Sequence, residues 1–119
     1  MSLEALTERV REFAAAREWG PYHTPKNLVM ALSGEVGEVT ELFQWLTPEQ
    51  SADAMRDPEL AANIRDELAD VLLYLVQLAD GLGVDLISAA HAKMDRNEHR
   101  FPRVDRNSVS PSRQPSADG

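Results

Sequence analysis

With 119 residues the chain has room for one hydrophobic core and little more. No apolar run approaches the ~20 residues that span a bilayer, and the absence of cysteine excludes disulfides and thiolate metal sites. Twenty acidic residues against 12 basic give a formal net charge of −8, which disfavours non-specific nucleic-acid binding and requires any phosphate-bearing ligand to bring or meet cations.

The N-terminal MSLEALTERVREF is charged and amphipathic, without the apolar core of a signal peptide, which together with the lack of cysteine suits a cytoplasmic protein. Leu3, Leu6, Val10 and Phe13 recur at helical spacing and predict a first helix over 2–18. Gly20, Pro21 and Pro25 break it. Thr24-Pro25 is an N-cap followed by a first-turn proline, opening a second helix from Pro25 to Leu46. Thr47-Pro48 closes that helix, and 48–57 reads as a short helical turn or loop. Asp57-Pro58 repeats the cap signal for a long third helix to Leu82, ended by Gly81 and Gly83. Asp85 caps a fourth helix reaching Phe101 before Pro102. From Asn107 onward the sequence is Ser- and Pro-rich with almost no apolar content, so a folded domain over 1–103 and a disordered tail over 104–119 are expected.

Two acidic pairs stand out. In the second helix Leu28, Leu32, Val39, Leu42 and Leu46 form an apolar stripe, Glu35 falls inside it, and Glu38 sits on its flank beside Ala31 and Trp45. In the third, Leu60, Ile64, Leu68, Val71, Leu75, Leu78 and Leu82 make one stripe; Glu67 lies beside it next to Val71 and Tyr74, and Asp70 one step further out. An ionised carboxylate on a core-facing stripe costs several kcal/mol unless paired or bound to a metal. The i, i+3 spacing puts each pair on one face, and two such faces brought together surround a polar pocket with four carboxylates. A hard divalent cation relieves their repulsion; Mg²⁺ suits oxygen ligands, with Mn²⁺ as a substitute. A single acidic pair three residues apart is usually a solvated surface feature; two pairs on separate helices, both against apolar stripes, point the other way. Glu41 and Asp66 read as plain surface acids, as do His91 and His99 among the histidines. The segment VLLYLV at 71–76 is apolar on nearly every side, which in so short a chain predicts a subunit interface.

The string GEVGEVTELFQW (34–45) followed by DELADVLLYL (66–75) resembles the MazG-like all-α nucleoside triphosphate pyrophosphohydrolases, whose signature is ExxE on one helix and ExxD on the next. FAAAREWGPYHTPKNLVMAL (13–32) and KMDRNEHRFP (93–102) resemble the branch of dCTP pyrophosphatases, so the likeness covers 3–103 apart from 48–62. It implies a four-helix bundle assembled as a dimer or a dimer-of-dimers tetramer, and hydrolysis of a (deoxy)nucleoside triphosphate, dCTP or a modified dCTP, to the monophosphate and pyrophosphate. It further implies Glu35, Glu38, Glu67 and Asp70 as magnesium ligands, Trp45 as an aromatic residue holding the base, and Tyr74, Lys93 and Asn97 as residues of the phosphate and nucleotide pocket. Where mammalian members carry a histidine in the first helix this sequence has Val10, which bears on base selectivity.

Glu35 or Glu38 is expected to orient or deprotonate the attacking water, Lys93 to meet a terminal phosphate, and Trp45, Trp19, Tyr22 and His23 to wall the base. A ferritin-like di-iron bundle would need ExxH on two helices, and the sequence contains none. Two other readings stay open: the same fold acting on dUTP or another non-standard nucleotide, and a non-catalytic helical oligomerisation or regulatory module.

Overall fold

A computed structural model describes residues 1–104, and the described chain is all-α with no strand. Its helices are α1 (Leu3–Ala16), α2 (Pro25–Phe43), α3 (Pro48–Ala52), α4 (Pro58–Leu82) and α5 (Leu86–Arg100), with short 3₁₀ turns at Gly20–Tyr22 and Ala54–Arg56. The expected tail lies beyond the described residues from 105 onward. Among the described residues no single helix is long and apolar enough to cross a membrane.

Side-chain caps fix the helix starts. The hydroxyl of Thr24 accepts from the Asn27 N–H at 3.2 Å, the Asp57 carboxylate accepts from the N–H groups of Glu59 and Leu60, and Asp85 accepts from Ser88 at 3.0 Å. Each satisfies donors that the first helical turn leaves unpaired. The Ser88 N–H also holds the Asp85 carboxyl below its usual range. Thr47 and Gln50 form a reciprocal capping box that starts α3, and this explains why α2 ends at Phe43 rather than Leu46. Pro48 excludes the helical region for Thr47, so the chain must leave α2 before the new cap. Gly81 lies inside α4; the stop is Gly83, in the left-handed conformation at φ 70°.

The chain forms two compact units, one ending at Val84 and the other beginning at Asp85. In the first, α4 is the spine: α2 packs along it most extensively, and α1 covers another side. Leu28 of α2 is buried together with Ala54, Ala61, Ile64, Val76 and Ala79. Arg11 ties α1 to α4 through a bidentate pair, its Nε donating to Asp80 Oδ2 at 3.0 Å and its Nη2 to Oδ1 at 2.6 Å. The predicted α4 stripe is covered unevenly. Ile64 is buried, whereas Leu68, Leu75 and Leu82 are 53%, 36% and 57% exposed, and Leu72, which lies off the predicted stripe, is 41% exposed. Helical periodicity marks which residues share a face but not how far along it a neighbour reaches. The second unit contains α5, whose last turn carries the basic residues His99 and Arg100, and the Arg100 charge suits the negative end of a helix dipole.

Candidate functional site

The packing of α2 on α4 sets Glu35 against Glu67, and the i, i+3 geometry of α4 brings Asp70 beside Glu67. One carboxylate oxygen from each of the three lies within 4.8 Å of the others, and all three residues are half-buried. Such an arrangement is costly for charged groups. The Glu67 carboxyl is held above its ordinary range, first because it shares a hydrogen bond with the Glu35 carboxyl, then because of partial burial and the charges of Glu35, Asp70 and Asp66. Its Oε2 is buried and has no hydrogen-bond partner among the described residues. A carboxylate with an orphaned oxygen, grouped with two further carboxylates, fits a hard cation with oxygen ligands, and the group itself contains no Cys or His.

Glu38, one turn further along α2, is exposed and lies outside this three-oxygen cluster. It remains within electrostatic reach: the charge of Glu41, then that of Glu67, pushes its carboxyl up. Glu41, read from sequence as a bystander, therefore helps set the charge state of Glu38.

Asp70 also borders a cavity of about 410 Å³ between α1, the segment after it, and α4. Leu6, Arg9, Val10 and Phe13 line it from α1, Trp19 and His23 from the connection, and Leu73, Tyr74 and Gln77 from α4. The connection is built to deliver Trp19. After α1 the chain turns through Glu18 in the left-handed conformation (φ 56°), with the Trp19 N–H donating to Ala14 O at 3.1 Å and the Glu18 N–H to Ala15 O. The Trp19 ring then meets Phe13 edge-on with centroids 5.5 Å apart, and lies 5.8 Å from the His23 ring. The Asn27 side chain donates to Tyr22 O at 2.9 Å, anchoring the segment to α2.

The predicted residues thus divide. Glu35, Glu67 and Asp70 come together, and His23 and Tyr74 join Asp70 around the cavity. Trp45 stands 87% exposed beyond the end of α2 and Tyr22 is 70% exposed; neither lines the cavity. Lys93 and Asn97 lie four residues apart on α5, in the second unit, where Asn97 Oδ1 is buried without a hydrogen-bond partner among the described residues. Sequence reasoning missed Arg9, Leu73 and Gln77. A signal existed for two of them: Arg9 falls in the i, i+3, i+4, i+7 set with Leu6, Val10 and Phe13, and Gln77 lies seven residues beyond Asp70 on the same face of α4.

Comparison with known proteins gives a consistent result. A family model described as the MazG-like family matches residues 30–112. The dCTP pyrophosphatase 1 of Bos taurus is 46% identical over 101 residues, covering 85% of this chain and 60% of that protein; the Homo sapiens protein of the same name is also 46% identical, with 59% of it covered. The chain therefore spans about three-fifths of the length of these relatives. A solved pyrophosphatase structure from Archaeoglobus fulgidus superimposes with a TM-score of 0.78 at 38% identity, covering 84% of this chain and 92% of that one.

Proposed function

The chain belongs to the MazG-like family, and from that premise we propose that it is a divalent-metal-dependent pyrophosphohydrolase of nucleoside triphosphates, with dCTP or a modified dCTP as substrate. The observation that carries this reading is the half-buried cluster of Glu35, Glu67 and Asp70, with an orphaned Glu67 oxygen, at the edge of an aromatic-lined cavity of nucleoside dimensions. The names of the relatives, dCTP pyrophosphatase 1 and a pyrophosphatase, support the same chemistry and base.

Glu35, Glu67 and Asp70 would hold Mg²⁺ or Mn²⁺. When bound, such an ion neutralises phosphate charge and lowers the pKa of water. Trp19, Phe13 and Tyr74 offer apolar faces to the base, which fixes the nucleotide so that its phosphates extend from the cavity toward Asp70. Glu38, exposed and outside the cluster, is the carboxylate left to take the proton of the attacking water. The water oxygen bonds to the α-phosphorus, the bond from that phosphorus to the α–β bridging oxygen breaks, and pyrophosphate leaves. The resemblance assigns Trp45 to the base, and Lys93 and Asn97 to the phosphate and nucleotide pocket.

Self-association belongs to the same proposal. Leu68, Leu72 and Leu75 form an apolar patch in the middle of α4, and a second copy burying it would form a dimer, or a tetramer by pairing of dimers. A nucleotide-pool enzyme works where the pool is, in the cytoplasm, and its acidic surface has no use for nucleic acid or membrane partners. The test is a pyrophosphate-release screen across common and modified nucleoside triphosphates with Mg²⁺. The expected result is release from dCTP that EDTA abolishes; release that persists in excess EDTA, or none from any nucleotide, refutes the proposal. Preference for dUTP would leave the mechanism standing and replace only the base.

A further inference from the structure

A cavity of about 410 Å³ has room for either a pyrimidine or a purine, so volume alone cannot choose the base and discrimination falls to hydrogen-bonding groups. Val10, Leu6, Phe13 and Leu73 offer none. Along α4 the cavity runs from Asp70 to Gln77, two helical turns or about 10 Å, comparable to the span from an α-phosphate to the far edge of a base. At that far end the Gln77 amide is locked: its Nε2 donates to the Leu73 carbonyl at 3.0 Å. The bond uses one of the two Nε2 donors and fixes the side on which Oε1 lies. Oε1 has no hydrogen-bond partner among the described residues, and it can only accept. Arg9, four residues before Phe13 and on the same face of α1, lines the same cavity and forms no ion pair or hydrogen bond among the described residues; its guanidinium can only donate.

We propose that Gln77 and Arg9 read the base edge, the Gln77 Oε1 accepting from the exocyclic amine of cytosine while the Arg9 guanidinium donates to ring N3 and carbonyl O2. One acceptor beside a donor fork is the complement of cytosine, which offers an N–H₂ donor and two adjacent acceptors. Uracil and thymine reverse the pattern at two atoms: O4 faces Oε1, acceptor against acceptor, and N3–H faces the guanidinium, donor against donor. A site built to pair a polar edge rejects an analogue that leaves its groups unpaired. Turning the amide to suit uracil would break the bond to Leu73 and still leave N3–H opposite Arg9. This specificity device rests on the function proposed above, deepening it from a preference for dCTP to the atoms that choose the base.

The test is kcat/KM for dCTP, dUTP and dTTP in wild type, Gln77→Met and Arg9→Met, each with Mg²⁺, with circular dichroism to confirm that the variants remain helical. Wild type should favour dCTP over dUTP by at least tenfold. Each variant should lose about ten- to hundred-fold on dCTP with little change on dUTP, collapsing the ratio. Equal losses on all three nucleotides would mean that the residues meet phosphate or sugar, and unchanged ratios that they are solvated; either result overturns the inference while the hydrolase reading stands. Absence of pyrophosphate release by wild type from every nucleotide overturns the hydrolase reading itself, and the inference with it. If a methionine variant fails to fold, Gln77→Ala, which removes the acceptor, must likewise lower the dCTP to dUTP ratio; an unaltered ratio there refutes the assignment.

Discussion

Replacing Glu35 by leucine separates the cost of the carboxylate cluster from its use. Glu35 is half-buried on the α2 stripe, its oxygen within 4.8 Å of those of Glu67 and Asp70. A fully buried leucine contributes about 1.5–3 kcal/mol by transfer from water, so a half-buried one at this position contributes about 1 kcal/mol. Removing one of three mutually repelling carboxylates acts in the same direction. For a chain of this length, 1 kcal/mol corresponds to about 3–6 °C in thermal midpoint. In EDTA, Glu35→Leu should therefore melt several degrees above wild type by calorimetry. Mg²⁺ at ten times its dissociation constant should raise the wild-type stability by about 1.4 kcal/mol, and that shift should vanish in the variant along with pyrophosphate release. The reasoning fails if the variant melts lower than wild type in EDTA, which would make Glu35 a structural residue, or if it keeps the magnesium shift.

Asp70→Asn should abolish both the magnesium shift and turnover, whereas Glu38→Gln, lying outside the three-oxygen cluster, should lose turnover by orders of magnitude and keep the shift; titration calorimetry with Mg²⁺ distinguishes them. The Glu67 and Glu38 carboxyls are raised in the folded state, so the native protein binds more protons than the unfolded chain just above the ordinary carboxylate range, and metal-free stability should fall as pH rises through their folded pKa values. Melting curves from pH 4.5 to 7 in EDTA, repeated with saturating Mg²⁺, should show a shallower fall with metal, which removes the Glu67 part and leaves that of Glu38. Asp80 has the opposite sign: Arg11 holds its carboxyl below the usual range, so its contribution is present above the unfolded pKa and disappears as pH drops through the folded one, a slope that Asp80→Asn should remove. Leu72→Lys, on the uncovered part of α4, should shift a wild-type oligomer toward monomer in light scattering, and an unchanged mass would exclude this face as the contact.

Much of the fold is written in local sequence. Thr24-Pro25, Asp57-Pro58 and Asp85 start helices where expected because capping is a contact between a side chain and backbone two or three residues away, which no distant packing needs to arrange. The acidic pairs were legible for a related reason: a charge placed on or beside an apolar stripe is visible as a conflict within one helix. The docking of α2 on α4 decided that Glu35, Glu67 and Asp70 share a point while Glu38 stands aside, because i, i+3 spacing fixes a face and leaves the height at which two faces meet to side-chain packing. Tertiary structure alone also put Arg9 and Gln77 around one cavity and left Leu68, Leu72 and Leu75 uncovered. Residues 68 positions apart in the chain carry no mark of shared purpose until α1 is laid against α4, since helical period records the direction a side chain faces and says nothing of what stands opposite it.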